Sequence, residues 1–540
     1  MMRSRLIFIA FGTAQLMWAQ IDGPRLGLVP DGAHIRPMNG IPGAAALGDG
    51  LHIGRGLTAI AISPRQDYAL AVADDGKVLL IAAGNRVWHI REVADAPDRT
   101  AISPRASHAA LWYAATSHFQ VVSGLPGASV VHEIDATFLG SPKTFAVSDD
   151  GWIAGVWDAG VYAFGPDGSG TQLQVDEGVA ALSFFAGGSD LGMATPSRIF
   201  SLRDIAGNSQ TATIYDTSNQ PTSPVGLGIS ADNQAIAAAD AAGVVYGMDL
   251  EKGALAILNC DCTPEGVFPL SGSAFRLTSP ASGLVKLFDV RSASILVVPD
   301  PLAAAPSATS PTAAATTIPA LTIGGLPATS TFAQQLPMTI SIASAFTSDI
   351  SGTATLTFQS ASGGDDQMIQ FGTGGRTVNF TIAAGSTQAV LAGKSSVAVL
   401  TGTVAGKITI TVTVTSPADS PPTTATITTA AVAPVISTVT LSQTSGGLTV
   451  VVTGYTPTRE ISSGVFSFSA GSGSTLAQAN VTVQLGSAFA AWFGNTASSA
   501  FGSEFTLTVP FNVQGNANNV VRVAVDLTNA VGVSNVASSQ

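Results

Sequence analysis

Two cysteines, Cys260 and Cys262, are the only thiols in this 540-residue chain, and Asp261 alone separates them. In an oxidising compartment that spacing makes them disulfide candidates, closing a ring so small that it adds little chain-entropy stabilisation. As metal ligands they supply half of a tetrahedral set, and no His or Cys nearby supplies the rest, so no metal site is expected. Other arrangements with chemical potential are incomplete. His132-Glu133 opens like a zinc-hydrolase motif but meets Ala136 where the second His belongs. Residues 402–407 (GTVAGK) fall one residue short of a phosphate loop and run into Ile408. Acidic pairs stand at Asp74-Asp75, Asp149-Asp150 and Asp365-Asp366, each in a turn-like context. Neighbours on a strand point to opposite faces, so these pairs read as turn formers before acid/base dyads. No G-x-S-x-G elbow and no dinucleotide fingerprint occurs. No catalytic residue and no cofactor is expected from these spacings.

The elements that position these residues follow a repeat. From Leu57 onward the chain runs apolar strand, Ser/Gly/Asp turn, apolar strand, short turn, then two further strands. The first turn recurs at Ser63, Ser103, Ser148, Gly187, Ser230 and Ser271. A period near forty residues with four short strands per unit is the pattern of a β-propeller blade. The second strands, such as residues 68–73 (YALAVA) and 235–239 (AIAAA), are unbroken apolar runs, as expected where neighbouring sheets cover both faces. Six repeats lie between residues 57 and 299, so six blades are favoured and seven are possible. Residues 26–38 form one more hairpin, which either completes the last blade or forms part of a seventh; completion is favoured because it closes the ring and removes the open edge. A ligand site belongs at the mouth of the channel, in loops beside the inner strands. By that rule the candidates are Arg65, Gln66, Asp67, Arg105, His108 and Asp149. Trp152 joins them from an aromatic group (Trp112, Tyr113, Trp152, Trp157, Tyr162) that otherwise serves packing between blades.

Beyond this the composition changes. Residues 301–320 (PLAAAPSATSPTAAATTIPA) read as an extended Pro/Ala/Thr linker. All six His precede it. After it, alternating strands such as residues 353–358, 377–382 and 407–414 are punctuated by turns at sandwich spacing. A break at residues 417–422 divides them into one sandwich over 321–430 and a second over 433–540, with residues 487–500 the one stretch suited to a short helix or crossover. At the other end, Arg3 and Arg5 precede an apolar run, residues 6–18, so residues 1–19 read as an export signal and the mature chain is expected outside the cytoplasm. Thirteen residues are too few to span a bilayer as helix, and no later run is free of Thr, Ser and Gly breaks. The net charge of −12, with no basic cluster past the first residues, excludes a nucleic-acid surface.

The repeats resemble bacterial WD40- or YVTN-type propellers, without their signature dipeptides in regular register. The part from 321 is similar to immunoglobulin-like or fibronectin-like modules of bacterial surface proteins, on segments such as 371–378 (FGTGGRTV) and 449–455 (TVVVTGY). The resemblance implies extracellular recognition or adhesion of a protein or carbohydrate, and transfers no catalytic residue. The rival expectations are a lactonase-like or glycan-degrading propeller enzyme, which would gather several His, Asp or Glu around the channel, and a structural envelope component.

Overall fold

The computed structural model describes residues 5–7, 19–82, 85–127, 130–175, 178–207, 209–216, 223–301, 318–416, 421–444, 447–513 and 516–539. Most of the export-signal segment and residues 302–317 of the linker lie outside these. The fold is all-β, and its strands pair almost entirely antiparallel. No helix among the described residues is long and apolar enough to cross a membrane. The chain divides into two compact units: Leu26–Met38 with Leu47–Val298, and Met1–Arg25, Asn39–Ala46 with Pro299–Gln540.

The first unit is the propeller. Six four-stranded sheets follow in chain order, starting at Leu57–Ile62, Arg99–Ile102, Thr144–Val147, Ala181–Phe184, Pro224–Ile229 and Phe268–Pro269. Before them stands a three-stranded sheet of Arg25–Asp31, His34–Ile41 and Ala44–Leu47, of which the hairpin Leu26–Met38 belongs to this unit. Alternate residues of each second strand enter different cores, which is why these strands are apolar without interruption. Tyr68 and Leu70 pack towards the following sheet with Ala109 and Leu111, whereas Ala69 and Ala71 pack towards the preceding one with Leu28 and Ile35. In the next sheet Ala110 and Trp112 turn the other way, onto Trp157 and Phe164. The aromatic group thus fills the space between sheets, as its sequence position implied.

The hairpin expected to complete the last blade does something else. The sheet of Phe268–Pro269, Ala274–Arg276, Val285–Asp289 and Ser294–Val298 supplies all four of its own strands, so no edge is left for Arg25–Asp31 to fill. The hairpin instead belongs to the separate three-stranded sheet. A second correction concerns Cys260, whose place between the strand at residues 254–258 and Thr263-Pro264 reads as a rim loop joining the fifth and sixth repeats. It is bonded to Cys262, but it is buried between the last two sheets with Val267 and Phe275.

The second unit holds two sandwiches. In the first, Leu321–Gly324, Gln335–Ile342 and Val397–Leu400 face a sheet ordered Val390–Leu391, Thr377–Ile382, Ile350–Ser360, Gly406–Ser416, Thr423–Thr429. Strict alternation puts Ile408, Ile410, Val412 and Val414 inside. In the second, Asn480–Gln484, Ser463–Ala470, Val520–Thr528 and Ala537–Ser538 form one sheet. The other runs Gln20–Asp22, Glu504–Asn512, Gly447–Tyr455, Val435–Thr444. Its edge strand therefore comes from near the beginning of the chain, and Ile21 packs on the sandwich core. The helix expected near residue 487 is present as Gly486–Gly494.

Candidate functional site

The hairpin Leu26–Met38 and the six four-stranded sheets together line a shared central cavity of about 260 Å³, the last sheet with two of its strands. Most of the side chains on its walls are apolar, Leu28, Ile62, Ile102, Val147, Phe184, Ile229 and Leu270 among them, although nearly half of the lining surface is polar. The polar side chains are few: Gln66, Thr100, Ser183 and Arg276. A concavity lined mainly by apolar side chains, with a few placed polar ones, is the usual form of a small-molecule site.

The strands reach this cavity from a recurring turn. Ser63, Ser103, Ser148 and Ser230 are each at most 1% exposed. Each hydroxyl accepts the amide that opens the next strand, those of Tyr68 (3.3 Å), His108 (3.0 Å), Trp152 (3.0 Å) and Ala235 (2.9 Å). A left-handed residue closes each turn (Gln66, Ala106, Gly151, Asn233), its amide donating to the serine carbonyl. Side chains from these turns then tie sheet to sheet. Gln66 accepts from the Leu28 amide (2.8 Å) and donates to the Pro269 carbonyl (2.7 Å), joining three sheets where the ring closes. The Tyr68 hydroxyl donates to the Ala106 carbonyl (2.7 Å). Asp149 accepts from the amides of Arg105 (2.7 Å) and Gly187 (2.8 Å), and Asn233 both accepts from and donates to the Ala186 backbone.

Two of the residues proposed from sequence as ligand contacts, Gln66 and Asp149, are therefore committed to holding the ring. Gln66 is only 9% exposed. Arg65, Asp67 and Arg105 are exposed, with Asp67 accepting from the Ser63 hydroxyl (2.6 Å). His108 is half-buried beside Ser107, whose hydroxyl lies 3.0 Å from Nδ1. Burial lowers the His108 pKa, against the opposing pull of Asp149 and Asp150. Trp152 is half-buried against the core between its own sheet and the next. Of the seven candidates, Gln66 alone lines the cavity.

The residue the sequence reading missed is Arg276. It is 4% exposed yet lines the cavity. Its Nη1 donates to the Thr278 carbonyl (3.1 Å) and lies 3.8 Å from the Glu265 carboxylate, while the guanidinium sits 4.1 Å from the centre of the Phe268 ring. Burial pushes its pKa down to about 10, with Glu265 opposing, so the group remains charged at neutral pH. Burial pushes Glu265 up, but hydrogen bonds from Ser282 and Ser279 and the charge of Arg276 outweigh it and hold the carboxyl below its ordinary value. A signal was legible: the second strands of the other five four-stranded sheets, such as Leu70-Ala71-Val72 or Ala237-Ala238-Ala239, hold no Lys or Arg, whereas here a cation interrupts, in Phe275-Arg276-Leu277.

A second cluster of unusual groups lies in the sandwich unit. Asp366 is fully buried and accepts from the amides of Met368 (2.9 Å), Thr403 (2.7 Å) and Val404 (3.0 Å), which corrects its reading as an ordinary turn former. Glu504, from the second sandwich, is also fully buried, and both its carboxyl oxygens lack a hydrogen-bond partner. Burial and the charge of Asp366 drive its pKa well up, and the Ile41 amide faces it without closing a bond.

No protein-family model matches the chain, and no curated protein matches it by sequence. Among solved structures it is similar to a functionally unknown protein from Desulfotomaculum acetoxidans, at 14% identity over 51% of this chain and 95% of that one, with a TM-score of 0.37. It is also similar to the β-propeller domain of Cps50 (Swd1) from Myceliophteria thermophila, at 13% identity over 50% and 99% of the two chains, TM-score 0.34. A third is apo AztD from Citrobacter koseri, at 14% identity over 52% and 96%, TM-score 0.35.

Proposed function

We propose that this chain is an exported binding protein whose propeller takes a ligand at its central cavity, with the two immunoglobulin-like sandwiches serving as spacer or attachment modules. The observation that carries this reading is the cavity itself: mainly apolar side chains drawn from seven sheets, one buried cation, and a ring of side-chain ties that fixes the walls in place. A preorganised pocket binds without the cost of ordering its lining. Export is supported by the basic-then-apolar start of the sequence and by the Cys260–Cys262 disulfide, a bond that persists in oxidising compartments.

The test is a thermal-shift screen of the mature protein against small molecules, followed by calorimetry on the hits. Binding that disappears when Ser183→Trp fills the cavity supports the reading, with unchanged ligand recovered after prolonged incubation. Hits that survive Ser183→Trp place recognition elsewhere, and a reaction product in the recovered pool makes the propeller an enzyme.

A further inference from the structure

The cavity carries enough chemistry to name what it selects. We infer that it binds monocarboxylates with an apolar body, the carboxylate seated on Arg276 and the body against the walls formed by Ile62, Ile102, Val147 and Phe184. This rests on the cavity being the ligand site, as proposed above.

Three observations lead there. First, the charge on the lining is concentrated in one side chain. The Gln66 amide is spent on Leu28 and Pro269, which leaves Arg276 as the one charged group on the lining, with the hydroxyls of Thr100 and Ser183. Second, the guanidinium is held but not saturated. Its polar contacts within the protein all use Nη1, and among the described residues Nε and Nη2 have no hydrogen-bond partner. The Phe268 ring packs against the guanidinium with its centre 4.1 Å away, and a guanidinium fork is matched by carboxylates through two parallel bonds. Third, the charge balance favours a single negative charge. Glu265 lies 3.8 Å from Nη1, too far for a close pair, and its Oε1 is already engaged by the Ser279 hydroxyl at 2.9 Å. A monoanion completes the pairing of Arg276, whereas a dianion adds surplus negative charge beside Glu265 in the cavity.

The experiment uses the mature full-length chain and calorimetry with octanoate and 4-phenylbutyrate, their neutral amides, and the corresponding amines. Carboxylates are expected to bind saturably, with the amides and amines weaker by roughly tenfold or more, since a charge-assisted pair exceeds a neutral hydrogen bond by about that factor. Arg276→Met should erase the preference for carboxylate over amide. Arg276→Lys, which keeps the charge but not the fork, should retain part of it, and it keeps the question answerable if Arg276→Met does not fold by circular dichroism. Amides binding as well as carboxylates, while Ser183→Trp still blocks both, would overturn the ligand class and leave the cavity as the site. Carboxylate binding indifferent to Ser183→Trp, or no saturable binding of any probe, would overturn the site together with the class.

Discussion

Gln66 shows what a single side chain does for a ring. Its amide satisfies two backbone groups on sheets that are far apart in sequence, and it does so from a left-handed backbone position. Gln66→Ala leaves the buried Leu28 amide and Pro269 carbonyl without partners, so we expect a loss of about 2–4 kcal/mol in denaturant unfolding of the propeller. Nothing in the sequence announced this role, because the destination of a side chain 203 residues away is a property of the closed ring. Glu504 was equally hidden: the sequence surrounds it with ordinary alternation, and only the packing of the second unit shows that its carboxyl meets Asp366, Tyr455 and the Ile41 amide, with Arg459 near Asp366. Its folded pKa lies above the unfolded value, so it favours folding fully only below about pH 4, and that contribution is lost as pH rises through the raised value. Glu504→Gln should therefore leave acid stability nearly unchanged and increase stability at pH 8 by about 1–3 kcal/mol, flattening the melting temperature against pH. A variant with an undiminished pH slope would show that another group sets it.

At the scale of elements the sequence was most readable where period and chemistry coincide. The unbroken apolar second strands and the forty-residue spacing identified the blades because each strand has two covered faces, and that demand is written into consecutive residues. The serine of the first turn was visible as a repeat marker, though its job was not. Ser103 buries a hydroxyl that accepts from the amides of both Ser107 and His108. Ser103→Ala should cost about 1–2 kcal/mol and raise hydrogen exchange first at the His108 amide, with little change at Tyr68, whose own turn keeps its serine. Ring closure was misread because the hairpin's composition reveals a need for a partner but not which edge is open. The last sheet fills its own edge with Ser294–Val298.

At the scale of the molecule, the two compact units are not two consecutive stretches of chain. Residues 1–25 and 39–46 belong with the part that follows Pro299, and Ile41, Ala44 and Ala46 share a core with Met368. A site-specific protease sequence placed within residues 302–317 should therefore yield, after cutting, two fragments that still co-elute in native gel filtration and separate only in denaturant. Separation under native conditions would refute this division. The strand Gln20–Asp22 carries a further consequence for how the protein is made. It leaves the ribosome several hundred residues before its partner Glu504–Asn512. Until they meet, Glu504–Asn512 presents a bare edge of main-chain donors and acceptors along an alternating apolar strand, open to any extended segment of another chain. The chain thus carries its own donor strand, made well ahead of the edge it covers, and removing it would convert the finished sandwich into an acceptor. Deleting residues 1–23 should give protein that self-associates on concentration, and a synthetic peptide spanning residues 19–25, added during refolding, should restore the monomer.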